Sequence, residues 1–200
     1  MSNYPRYLWG ILDSVLIVVV ACGESEQTTD NGAGYEPSTE ECNFTAVGSM
    51  ELIATLEELT SRSSLVVVGT IVEVQAPVWG PEVTSRDGSF RYIETHYIVR
   101  VEDRLQGDAG DTLIVREPGG SIDGCTQTYS PQTHMGINQR ALLFLSDPAD
   151  RPQGTTYSVV GGDQGYWSVN EDQTVQTRES HFDEYNDIAL EQIASQIAPP

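Results

Sequence analysis

The stretch Leu65-Val66-Val67-Val68-Gly69-Thr70-Ile71-Val72-Glu73-Val74 decides the fold. It is β-branched and continuous enough to be a buried strand, and Gly69 within it predicts a bulge or a sharp bend. A loop with Pro77, Gly80, Pro81 and Asp87-Gly88 follows, then a second strand over residues 90–105 that alternates partially through Tyr92 and residues 95–101. Gln106-Gly107-Asp108-Ala109-Gly110-Asp111 is turn chemistry, residues 112–116 form the partner strand, and Pro118-Gly119-Gly120 ends it. Further strands are predicted at 140–145, 157–160 and 166–169. Five or six strands separated by turns, without helical alternation, predict a mainly β domain and a small closed antiparallel barrel.

Helical spacing flanks the barrel on both sides. Leu52, Ile53, Leu56 and Leu59 fall on one stripe, with Ser49 placed to cap, so a short amphipathic helix is expected over 49–59. Phe182, Tyr185, Ile188, Ala189, Ile193 and Ile197 predict a C-terminal helix that Pro199-Pro200 stops.

The 200 residues carry 30 acids and 10 bases, a formal charge of -20, and every base is an arginine. With no lysine, a phosphate-loop lysine, a Schiff base and a serine-lysine dyad are excluded. The acidic balance also argues against a nucleic-acid partner, because phosphate binding rests on Lys/Arg neutralisation.

Arg6 precedes an apolar stretch from Tyr7 to Ala21, the layout of a secretory signal. Its ending, Val19-Val20-Ala21-Cys22-Gly23, resembles the bacterial lipobox, which implies cleavage after residue 21 and a lipid on Cys22. Residues 1–21 are thus read as a lipoprotein signal peptide. The protein would sit in the cell envelope, held to the membrane by that lipid. Residues 22–48 read as an acidic flexible tether; 23–61 hold nine acids and no base, and the first part has no apolar periodicity. With Cys22 acylated, Cys42 and Cys125 remain, the even count expected outside the reducing cytosol. A disulfide between them would stabilise by up to roughly 4–5 kcal/mol in the chain-entropy model.

The strand around Gly69, Tyr97-Ile98-Val99-Arg100-Val101-Glu102-Asp103-Arg104-Leu105-Gln106-Gly107, Cys125 and Arg140-Ala141-Leu142-Leu143-Phe144-Leu145 together resemble the netrin-like domain. This is the OB-type barrel of the tissue inhibitors of metalloproteinases, and the likeness covers about residues 62–170. The resemblance implies an OB-type barrel with flanking helices over residues 49–200, usable as a scaffold for binding. The family's inhibitory wedge uses a free N-terminal cysteine to chelate zinc. Here Cys22 would be acylated and Cys42 follows Glu41 inside the chain, so neither presents that group.

No catalytic motif, metal site or cofactor site is read from the chain: H-E-x-x-H and G-x-S-x-G are absent, and Gly119-Gly120-Ser121-Ile122-Asp123 lacks the closing glycine. Among His96, His134 and His181, His134 stands out because the segment around it is polar and long. Trp79 in the 76–89 loop offers contact area with a polar handle, and Tyr129 and Trp167 join it if the loops cluster. The expectation is a non-enzymatic binding or structural module. It would meet a protein or glycan through loops 76–89 and 120–137, using Trp79, Tyr129, His134 and Trp167. The rival readings are a peptidase inhibitor acting through a loop and a hydrolase with an unrecognised site.

Overall fold

The structure is a computed structural model that describes residues 43–47, 50–85, 88–130, 133, 135–152 and 154–197. Residues 1–21, expected to be a signal peptide, Cys22, Cys42, most of the segment expected to be a tether (22–48) and His134 lie outside the described residues.

Chain order gives β1 (Phe44–Val47), α1 (Leu56–Ser61), β2 (Leu65–Val74), β3 (Val78–Ser85), β4 (Gly88–Gln106) and β5 (Thr112–Pro118). There follow β6 (Gly120–Ile122), β7 (Cys125–Ser130), β8 (Arg140–Leu145), β9 (Ala149–Arg151) and β10 (Gly154–Tyr157). The described chain ends with β11 (Tyr166–Val169), β12 (Val175–Gln176) and α2 (Leu190–Ile197). The protein is mainly β, as its patterning predicts.

The main sheet runs β12-β11-β8-β2-β4-β5-β10-β9, with β3 also paired to β4, and a small second sheet runs β1-β7-β6. Neighbours are antiparallel except for β10 beside β5 and β1 beside β7. Among the described residues no ladder joins β8 to β10, so neither sheet closes on itself as a continuous ladder and the closed antiparallel barrel expected from the sequence is not formed by strand pairing alone. The end of β8 does meet the residues after β10: Leu145 bridges Val159, Ser146 N–H donates to Ser158 O, and Val160 N–H donates to Phe144 O.

β2 and β8 are buried on both faces because alternate side chains supply two cores. Leu65, Val67, Leu143 and Leu145 enter one with Tyr97, Val99, Leu113 and Val115. Val66, Val68, Leu142 and Phe144 enter the other, beneath Leu56, Leu59, Ile193 and Ile197 of the helices. The bend at Gly69 is present: the β2–β4 register shifts there, and a Cβ would lie 2.6 Å from Val99 Cγ1 and 2.7 Å from Arg100 O.

Three expectations need correction. Helix α1 begins at Leu56 rather than near residue 50. Thr55 Oγ1 accepts the Glu58 N–H and Glu58 Oε2 reaches back to the Ala54 N–H, a reciprocal cap, whereas Gln164 Oε1 takes the Ile53 N–H and holds residue 53 outside the helix. The C-terminal helical stripe is split into a 3-10 turn, Ser180–Tyr185, and α2, because Asp187 adopts a left-handed φ of 63° between them. Finally, the presumed loops 76–89 and 120–137 are largely strand: β3 pairs with β4, and β6 and β7 form a hairpin.

Candidate functional site

On the side of β4 that precedes residue 94, the β3–β4 ribbon extends past the β4–β5 pairing. Val83 and Phe90 stand directly opposite each other on this ribbon, 36% and 37% exposed. Nearer its base, Trp79 is half-buried against Ile93, Cys125 and Ile122. The Arg91 guanidinium lies 5.7 Å from the Trp79 ring centroid and its Nε donates to Gly80 O at 3.1 Å. Tyr129 of β7 is also half-buried; burial first, and the neighbouring Tyr92 second, push its hydroxyl up to about 12. Trp79 and Tyr129 therefore belong to the same end of the molecule.

Trp167 does not join them. Its side chain is fully buried, its ring centroid lies 5.3 Å from those of Phe144 and Phe182, and Nε1 donates to Gln164 O at 2.8 Å. Every second residue of β11 faces the helices, and Trp167 is the one that fills the space between them and β8. It is a core residue, and the expectation that it lines a binding surface is withdrawn.

The ribbon is joined to the small sheet by Gln127, a residue that sequence reading passed over. Ile93 N–H donates to Gln127 Oε1 at 2.6 Å, and Gln127 Nε2 donates to Arg91 O at 3.3 Å. One side-chain amide thus completes the β4 ladder where β5 has ended. A buried glutamine in an alternating strand is the signal that could have marked it.

Ionisable side chains are buried on both faces of the β4–β5 pair. On one face Glu94 and His96, each 1% exposed, meet at 3.2 Å between Oε2 and Nε2, and Arg116 Nη1 donates to Glu94 Oε1 at 3.2 Å. His96 and Arg116 are cross-strand partners, so β-pairing alone sets this cluster. On the other face Glu117 is 5% exposed beside Tyr97 and Thr133. Burial is the main cause that pushes its carboxyl up to about 8, with Asp163 adding to the effect and Thr133, Arg178 and Tyr97 opposing it. His96 Nδ1, Arg116 Nε and Glu117 Oε2 are buried there without a hydrogen-bond partner. His181 is half-buried, its ring 4.3 Å from that of Phe182.

Among the described residues, no group of three or more His, Cys, Asp or Glu is placed to hold a metal ion, and no helix is long and apolar enough to cross a membrane. Cys125 is buried and its thiol is not free. Compared with family models, with curated proteins and with solved structures, the chain finds no match.

Proposed function

We propose that the chain is a lipid-anchored cell-envelope protein whose netrin-like, OB-type barrel is a non-enzymatic binding module, and that it meets a protein partner through the β3–β4 ribbon. The strand order supports the barrel reading. The run β2-β4-β5 is a consecutive antiparallel meander, β10 lies parallel to β5, β8 lies antiparallel to β2, and the Leu145–Val159 contacts bring β8 toward β10. The OB architecture carries its binding surface on the second and third strands and on the loops between strands one and two and between strands four and five; in this reading the first of those loops is the β3–β4 ribbon.

The observation that carries the binding reading is the opposed pair Val83 and Phe90, apolar and exposed on a projecting ribbon with Trp79 and Tyr129 at its base. Apolar side chains grouped at one end of a strongly acidic molecule suit a protein contact, in which a few buried rings supply most of the energy. A photo-crosslinking residue placed at position 90 of the full chain in its native envelope tests this. One discrete adduct from position 90, absent when the same residue sits at position 171, is expected. Identical adducts from both positions, or none, would overturn it. A peptidase panel run alongside separates a plain binder from an inhibitor.

The anchor and the disulfide belong to the same reading. Phe44 pairs with Gln127 and Thr126 N–H donates to Asn43 Oδ1 at 2.6 Å, so the chain that follows Cys42 in sequence runs along β7, the strand that Cys125 begins. A Cys42–Cys125 bond would staple the end of the tether beside the ribbon. Palmitate labelling lost in Cys22→Ala, and one thiol newly reactive in Cys42→Ser, are the outcomes expected.

A further inference from the structure

A second feature lies away from the ribbon, where the start of β8 meets the β11–β12 turn. A cleft of about 360 Å³ opens there, whose lining includes Asn138, Gln139, Arg140, Asn170, Glu171 and Gln173. That volume is at the small end of ligand sites. Its lining is dominated by primary amides, and the protein fixes three of them in orientation. Gln139 Oε1 accepts both the Gly136 N–H at 2.7 Å and the Tyr166 hydroxyl at 3.0 Å, which turns its NH2 outward. Asn170 Nδ2 donates to Thr174 Oγ1 at 3.0 Å, which leaves its carbonyl oxygen free to accept. Gln173 accepts from Arg140 Nη1 at 2.5 Å and donates to Glu171 O at 3.4 Å.

Two of the lining residues also hold left-handed backbone, Asn138 at φ 66° and Gln173 at φ 67°. Asparagine tolerates that region, but glutamine gains nothing from it that glycine would not give at lower cost. What Gln173 adds is its side chain, which positions Arg140. The Arg140 charge is already met by Glu102, with Nε donating to Oε2 at 2.6 Å, and Thr70 and Arg100 brace the same carboxylate. The cleft therefore offers oriented amide donors and acceptors, and the exposed Glu171 carboxylate adds a further acceptor for hydroxyl groups.

We propose that this cleft binds a neutral polyhydroxylated ligand, a short oligosaccharide. A fixed amide NH2 beside a fixed carbonyl oxygen matches the donor-and-acceptor character of neighbouring hydroxyls, and preorientation lowers the entropy lost on binding. The site is independent of the ribbon, so its failure and the failure of the ribbon reading are told apart by different measurements.

The test is side-chain amide NMR on the ¹⁵N-labelled full chain carrying Cys22→Ser, titrated separately with maltotriose and N,N′-diacetylchitobiose. Saturable shifts confined to Asn138, Gln139, Asn170 and Gln173, with a Kd of about 1 mM for one sugar, are expected. Gln139→Leu should weaken that binding at least about tenfold. Gln173→Gly, which relieves the left-handed strain and keeps the fold, should weaken it as well. No shift with either sugar, shifts scattered over the surface, or binding unchanged in both variants would overturn the proposal.

Discussion

The two ends of the long strand β4 are held by different kinds of interaction. Toward residue 106 it lies beside β2, whose outer face is sealed by α1, α2 and the Phe144–Trp167–Phe182 aromatic group. Toward residue 90 it is held by a side-chain amide, a buried Glu94–His96–Arg116 cluster and half-buried aromatics. The first end owes its stability to apolar area and tolerates no loss of volume. The second depends on particular polar partners and leaves apolar side chains in water. A fold can thus be sealed at one end and remain available at the other.

The largest effect belongs to the sealed end. Trp167→Ala should cost about 4 kcal/mol in urea unfolding, since the cavity would lie between three aromatic neighbours and cannot collapse. A cost under about 1 kcal/mol would show that the helices rest only loosely on β8.

Glu117 comes next and acts through pH. Its carboxyl is raised in the folded state to about 8, so the proton is kept on folding and given up on unfolding. The favourable contribution is therefore complete below the ordinary carboxylate range and is lost as pH rises toward 8. Between pH 5 and pH 8 the wild-type chain should lose roughly 3–4 kcal/mol that Glu117→Gln retains. Tyr97 and Tyr166 face the same group but are themselves pushed upward, so they stay protonated across that window. Parallel stability curves for the two proteins would refute the assignment.

Gln127→Leu should follow at about 2 kcal/mol, because the Ile93 N–H and the Arg91 carbonyl would lose their buried partner. The loss should appear as faster amide exchange at Ile93, with β2 and β8 unaffected. The smallest effect is expected at the tip: Phe90→Ser should change stability by less than about 0.5 kcal/mol. That near-silence in folding is what permits the position to be read through partner crosslinking.

How much of this was legible depends on which force dominates each segment. β2, β4, β8 and β11 could be read because burial of branched side chains leaves a pattern in the residues themselves. The helix over 49–59 was misplaced because the Ile53 N–H is claimed by Gln164, more than a hundred residues away. β3, β6 and β7 read as loops because they are rich in Gly, Pro, Ser and Thr, and backbone pairing with β4 and β1 outweighs that weak preference. Trp79 and Tyr129 were singled out for their size, yet size alone could not separate them from Trp167, which the same argument placed on the surface.

By itself the sequence determined the chemistry available: an acidic chain whose charged bases are all arginine, and enough alternating apolar residues for a β domain. The tertiary structure decided which polar groups meet. Cross-strand register brought His96 to Arg116, a turn brought Gln173 to Arg140, and the end of β5 left a vacancy in the β4 ladder that Gln127 fills. The physical reason is that burial of apolar area is non-directional and is recorded in composition and period. Hydrogen bonds and ion pairs depend on ångström-scale placement, which exists only once the strands have paired.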